Sequence, residues 1–176
     1  MKKYKGILYD IGCGNGRDLV YFNKNEILCK GIDKSKEAIK NNKNKFRKYK
    51  DYFVNNNFCN LFKKIKIKER FSIYSRFTLH AINYKDEDRL IRSIKNKKNL
   101  DYIFIECRTL KDELYGKGRK VGKHEFVLSH YRRFIDPKIL KKKLKDFKII
   151  YFKQAKNFAK FKKENPCVLR IIAQKK

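Results

Sequence analysis

Apolar positions along the chain alternate between short runs rich in β-branched and aromatic residues and longer stretches where they recur every three or four residues. Strand-type runs interleaved with helix-type periods predict a parallel α/β sheet. Residues 5–10 read as the first strand and 27–33 as the second. Five more follow at 51–54, 71–75, 100–107, 147–152 and 168–173. Between them, 17–25 reads as a helix with Leu19, Val20 and Phe22 on its apolar face. Ser35 is placed to cap the next helix, whose inner side would carry Ala38, Ile39 and Phe46. Asn55, Asn56 and Asn57 read as a turn, and a helix over 86–96 would turn Leu90, Ile91 and Ile94 inward. Pro137 opens a last helix between Asp136 and Lys145, and Pro166 stands just before the final strand, where no ladder donor is lost. The pattern is seven strands in βα alternation, closing on a β-β pair. It fits one domain over residues 1–176.

One stretch breaks the rhythm. Residues 111–133 carry Gly116, Gly118 and Gly122 among Tyr115, His124, His130, Tyr131, Arg132 and Arg133. An insertion of this length in a compact domain is usually a lid or a binding loop. It follows the fifth strand, at the carboxyl edge of the sheet, where open α/β folds bind ligands. A substrate-side insertion over about 108–135 is therefore expected.

The first strand ends in Asp10-Ile11-Gly12-Cys13-Gly14-Asn15-Gly16, and a helix follows. Glycines permit the tight turn and a close approach of backbone to ligand, and the helix beyond offers free N–H groups. A dinucleotide site would space its glycines GxGxxG, whereas here the spacing is GxGxG with an acid immediately ahead. A second acid, Asp33, closes the second strand; a carboxylate can accept two hydrogen bonds from a vicinal diol.

This arrangement resembles motif I of class I S-adenosylmethionine (SAM)-dependent methyltransferases. The resemblance implies a Rossmann-like α/β fold: seven mostly parallel strands, an antiparallel terminal strand and helices on both faces. It also implies SAM as cofactor and S-adenosyl-L-homocysteine as product. Asp10, Gly12, Cys13, Gly14 and Gly16 would wrap the methionine part, and Asp33, with Lys34 beside it, the ribose. The family often places an acid after the third strand to accept from the adenine amino group. Here Asn57 stands there, with Phe58 to pack on the base, although an asparagine-rich turn without a ligand would look the same. Ser75 would line the cofactor after the fourth strand.

On the acceptor side, Arg76 could pair with a carboxylate or phosphate and His80 could act as a base. Arg108, Arg132 and Arg133, with Tyr115 and Tyr131, suggest an anion-binding pocket, with His130 as a second possible base. Glu106 could orient a nucleophile or pair with Arg108. The Ser-Arg-Phe-x-x-His, Glu-x-Arg-x-x-x-Asp and His-Tyr-Arg-Arg-Phe elements resemble a small bacterial methyltransferase group encoded with capsule or other surface-polysaccharide genes. That resemblance implies a small phosphorylated or glycosylated acceptor, and the leading reading is a small anionic one such as a phosphorylated or nucleotide-linked surface-glycan precursor. Methyl transfer from a sulfonium needs mainly alignment, and no metal is implied.

Composition adjusts this picture more than it redirects it. The net charge of +30 invites RNA as a partner and RNA methylation as a rival function. Yet 37 lysines against 11 arginines, with 15 asparagines and 19 isoleucines, is also what an AT-rich coding sequence would produce. A second rival is a SAM-binding module without catalysis, suggested by Asn57 and by the absence of a helix ahead of the first strand. Five scattered cysteines without a CxxC pair suit reduced, buried thiols and no metal site. No apolar run reaches the about 18 residues of a membrane span, and the start of the chain has no signal-type apolar core. A cytoplasmic protein without membrane insertion is expected.

Overall fold

The computed structural model of the chain describes residues 5–161 and 164–176. The first four positions, read above for a leader, lie outside the described residues. The chain forms two compact units, one of Met1–Tyr74 with Arg89–Tyr102, the other of Ser75–Asp88 with Ile103–Lys176.

In the first unit, β1 (Ile7–Ile11) leads through the glycine loop into α1 (Arg17–Lys24), then β2 (Cys29–Asp33) and α2 (Lys36–Lys45). Ser35 caps α2 as expected, its hydroxyl accepting the Ala38 N–H at 3.1 Å. A 3-10 turn over Arg47–Tyr52 displaces the third strand from the expected 51–54 to β3, Phe53–Asn55. A helix that hydrophobic periodicity missed follows: α3, Phe58–Lys64. Its seven residues are too few to display a period, and all but its lysines and Asn60 are buried. Next come β4 (Phe71–Arg76), α4 (Tyr84–Lys95) and β5 (Leu100–Arg108), with β4, α4 and β5 each running from one unit into the other. Strands β1 and β2, β2 and β3, and β1 and β4 pair in parallel. Ile11, Leu19, Ile32, Phe53, Phe62, Phe71, Ile73, Ile94 and Leu100 make the dry interior of this unit.

In the second unit, the expected insertion is built, not loose. It folds as β6 (Arg119–Gly122), β7 (Glu125–Val127) and β8 (Tyr131–Arg133), an antiparallel three-stranded sheet of its own. Gly118, at φ +87°, begins it; a Cβ there would stand 2.4 Å from the Val127 carbonyl oxygen, so only glycine fits. Asp136 caps α5 (Pro137–Lys143), and β9 (Phe147–Ala155) pairs antiparallel with β10 (Val168–Lys175). Phe134, Ile135, Leu140, Val168 and Leu169 are buried here.

The main sheet runs β3-β2-β1-β4-β5-β10-β9. Seven strands with an antiparallel terminal pair and flanking helices are the architecture expected from the alternation of patterns. The last strand, β10, enters between β5 and β9, which no local pattern specifies. No described helix is long and apolar enough to cross a membrane.

Candidate functional site

The glycine loop lies wholly in the first unit. Gly12, Gly14 and Gly16 have φ of +70°, +49° and +72°, the left-handed region that side chains disfavour. Gly16 is doubly constrained, since a Cβ would stand 2.7 Å from the Phe53 ring. The loop is fastened to the end of β2: the Gly12 N–H donates to the Ile32 carbonyl at 2.7 Å, and the Gly14 N–H to Asp33 Oδ2 at 2.9 Å. The other Asp33 oxygen accepts the Ser35 N–H at 2.9 Å. A carboxylate has about four lone-pair positions, so two backbone bonds orient Asp33 and leave capacity for a diol. From α2, buried Asn42 donates to the Gly14 carbonyl at 2.7 Å. Sequence reading missed Asn42; the only signal was its place three residues after Ile39 on the inner face of α2.

Asp10 is 4% exposed at the strand end. Burial, then the Asp10 and Asp33 carboxylates, push the Cys13 thiol upward, which places both negative charges beside the loop. In a chain of net charge +30, this locally negative corner is suited to a sulfonium cation.

Several residues expected at the cofactor also have roles within the fold. The Cys13 side chain is buried, its sulfur 3.0 Å from where a Cβ on Gly31 would stand, so it packs the glycine loop against β2. Asn57 Oδ1 accepts the Cys59 N–H at 3.0 Å and caps α3. That oxygen keeps a second lone pair, so capping α3 leaves it able to accept one more hydrogen bond. Phe58 is 4% exposed and packs in the core, not on an open face. Lys34 is exposed. Ser75, in the second unit, is buried with its hydroxyl lacking a hydrogen-bond partner.

In the second unit, two arginines expected to bind substrate are structural. Arg133 is buried: its guanidinium donates to the Ile82 carbonyl at 2.9 Å, to the Leu79 carbonyl at 3.1 Å and to Glu87 at 2.5 Å. Lys143 reaches the other Glu87 oxygen at 2.5 Å and Asp88 at 2.6 Å. Burial pulls the Lys143 ammonium down, but Asp88 and Glu87 outweigh it and hold it raised. Arg108 is likewise buried, donating to Asp112 at 3.0 Å and also meeting Glu164. Asp112 in turn accepts the Cys167 N–H at 3.1 Å. Unpaired cations cannot be buried, so each guanidinium brings a carboxylate with it.

Glu106, considered as an orienting acid, is held by Arg76 at 2.9 Å and Arg170 at 2.5 Å and not by Arg108. Phe77 follows at φ +56°, a strained value for an aromatic residue, with the Arg76 and Arg108 guanidiniums 5.2 Å and 5.9 Å from its ring centre. His80 is buried, and its Nδ1 accepts the Arg108 N–H at 3.4 Å. Burial, then Arg108, Arg132, His130 and Arg133, push it down to about 3, so it is a neutral imidazole and a feeble proton acceptor. Tyr115 bonds His124 at 2.8 Å and packs on Phe126 and Phe134. Burial and Glu125 push the Tyr131 phenol up.

His130 and Arg132 lie nearer the surface. His130 is exposed, with its Nδ1 3.0 Å from the Ser129 hydroxyl. Burial, then Arg132 and Arg108, lower it, so its ring is neutral near pH 7. Arg132 is half-buried, and burial followed by Arg108 lowers it as well. In both groups burial is the larger cause and the Arg108 cation the shared one, partly offset by Glu164.

No family model and no curated protein matches the chain. Solved structures do match over nearly its whole length. A SAM-dependent methyltransferase from Methanosarcina mazei superimposes with a TM-score of 0.77 at 17% identity, covering 99% of this chain and 94% of that one. A SAM-dependent methyltransferase from Archaeoglobus fulgidus gives 0.67 at 19% identity, over 98% and 87%. The glycopeptide N-methyltransferase MtfA complexed with SAM gives 0.70 at 13% identity, over 100% and 90%.

Proposed function

Proceeding from a class I SAM-dependent methyltransferase fold, we propose that this protein is a SAM-dependent methyltransferase acting on a small anionic acceptor, phosphorylated or nucleotide-linked. The observation that carries the cofactor reading is the bond from the Gly14 N–H to Asp33: one carboxylate both shapes the glycine loop and remains able to accept from a ribose diol. Asp10 and Asp33 supply the negative corner for a sulfonium. When bound, SAM supplies an electrophilic methyl group, and alignment with the acceptor accounts for most of the rate.

On the acceptor side the reading rests on Arg132 as the anion-holding cation and His130 as the base. His130 is neutral at working pH and exposed, so it can take the proton of a hydroxyl or amine acceptor; a phosphate oxygen would need none. The similar structures named above are two SAM-dependent methyltransferases and a glycopeptide N-methyltransferase, which gives a surface-polysaccharide acceptor no particular support.

Two measurements test this. Equilibrium dialysis with labelled SAM should show saturable binding that falls about tenfold or more in Asp33→Ala, a loss of about 1.4 kcal/mol. Unchanged binding in that variant sinks the cofactor assignment. Incubation with labelled SAM and fractionated cell extract should then place label in the acidic small-molecule fraction; tight SAM binding with no labelled product in any fraction would favour the non-catalytic rival.

A further inference from the structure

A groove of about 670 Å³ lies in the first unit between α3 and the end of α4. Lys63, Arg89, Arg92 and Lys97 line it, with Asn60, Ser93 and Asn96, and no acidic residue is among the lining. None of the glycine-loop residues, nor Asp33, takes part in it. Positive charge is abundant in this chain, yet it is not spread evenly. A smaller cavity of about 280 Å³ in the second unit is lined by Glu87, Glu125 and Asp136 beside Lys123, His124 and Arg133. The groove, by contrast, carries cations of one sign with amide and hydroxyl donors between them.

Its rim is also held in shape. Lys97 donates to the Ile65 carbonyl at 2.8 Å, and Asn99 to the Ile67 and Lys68 carbonyls at 3.0 Å and 2.7 Å. These bonds pin the segment after α3, in which Lys64, Lys66 and Lys68 are exposed. Cations arranged along a concave, ordered surface match a linear array of phosphates better than a flat one. The lining holds only one aromatic ring, that of Phe62, and it is fully buried, so there is no platform on which bases could stack.

We propose that this groove is a docking site for the phosphodiester backbone of a nucleic acid, held through charge without reading the bases. The inference is independent of the methyl-transfer reading, because it concerns binding and is tested by binding. Arg89 and Arg92 keep other contacts in the fold as well; the proposal needs them to line the groove, which they do.

The probe is a labelled single-stranded RNA of mixed sequence, followed by anisotropy with the full chain, with DNA of the same sequence and an RNA duplex as parallel arms. The test variant reverses Lys63→Glu with Arg92→Glu; the control reverses two exposed cations of the second unit, Lys120→Glu with Lys148→Glu, for the same change in net charge. Expected are a steep loss of affinity with salt in the parent, an affinity about tenfold or more lower in the groove variant, and a salt slope reduced by about 1.4 for two lost single-strand phosphate contacts. The control should change affinity by less than about threefold, and scrambling the RNA sequence should change nothing. Equal losses in the two variants, no measurable RNA binding, or preference for phosphatidylserine vesicles over RNA would each overturn the proposal. Circular dichroism and SAM binding of the groove variant confirm that it is folded.

Discussion

Around Glu87, Glu106 and Asp112, the cations of the second unit are drawn inward onto carboxylates, whereas along the α3–α4 groove of the first unit they line a surface that contains none. Both sets are lysines and arginines in runs that look alike. The difference lies in what burial does to a charge. Arg108 and Arg133 leave water, so their charge must be matched by Asp112 and Glu87 and by carbonyl oxygens. Lys63, Arg89 and Arg92 stay exposed to water, where like charges coexist at small cost along the groove that they line. A cation in this protein therefore acts in architecture when buried and in recognition when exposed. Arg132 and His130, partly exposed beside buried Arg108, fall at the boundary of the two.

Substitutions can break or sharpen this contrast. The largest effect is expected for Arg133→Ala, which would leave Glu87 with Lys143 alone and two carbonyls without their donor. Removing one partner of such a buried pair costs about 3–5 kcal/mol, measured by urea unfolding. A cost below about 1 kcal/mol would show that the pair is solvated and the contrast misdrawn.

His80 gives the next effect, as a pH dependence. Its folded value is pushed down to about 3 from an ordinary 6.5. Between those values the unfolded chain binds the proton and the folded chain does not, so stability rises with pH across that window. On acidification from pH 6.5, His80 should remove up to about 1.4 kcal/mol per pH unit. Unfolding midpoints of the parent and His80→Gln should therefore converge as the pH falls toward 3, and parallel curves would refute the buried neutral imidazole.

In the first unit, Asp33→Asn keeps an oxygen for the Gly14 N–H but removes the negative pole and the acceptor for the Ser35 N–H. SAM affinity should fall less than in Asp33→Ala, by a few-fold. Equal losses would show that the bond to Gly14 contributes little. The smallest change in stability is expected at Arg132→Ala, within about 0.5 kcal/mol, accompanied by a raised KM for an anionic acceptor. A loss of stability like that of Arg133→Ala would move Arg132 into the architectural set.

The site was legible to different depths in its two halves. The glycine loop could be read because backbone needs are local: three left-handed residues in five positions leave glycine little competition, and an acid at each of two strand ends follows from where the strands stop. Ser35 was legible for the same reason, a cap being a bond to an N–H three residues away. Asn57 was placed at the correct turn, but its capping of α3 was not legible, since that helix is too short to announce itself. The acceptor side misled more. The run Arg132-Arg133 holds one half-buried and one buried guanidinium, because neighbours in a strand point to opposite sides.

The sequence by itself determined the alternation of strands and helices, the turn that closes β1 on the glycines, the acid at the end of β2 and the excess of positive charge. These are matters of periodicity, backbone conformation and composition, each settled within a few residues. Only the tertiary structure decided that β10 enters between β5 and β9, that Asn42 secures Gly14, that Arg108 and Arg133 are neutralised by Asp112 and Glu87, and that Lys63 and Arg92 line one groove. Those outcomes depend on which distant side chains share a dry interior and which share an open surface, and the cost of burying a charge is what sorted them.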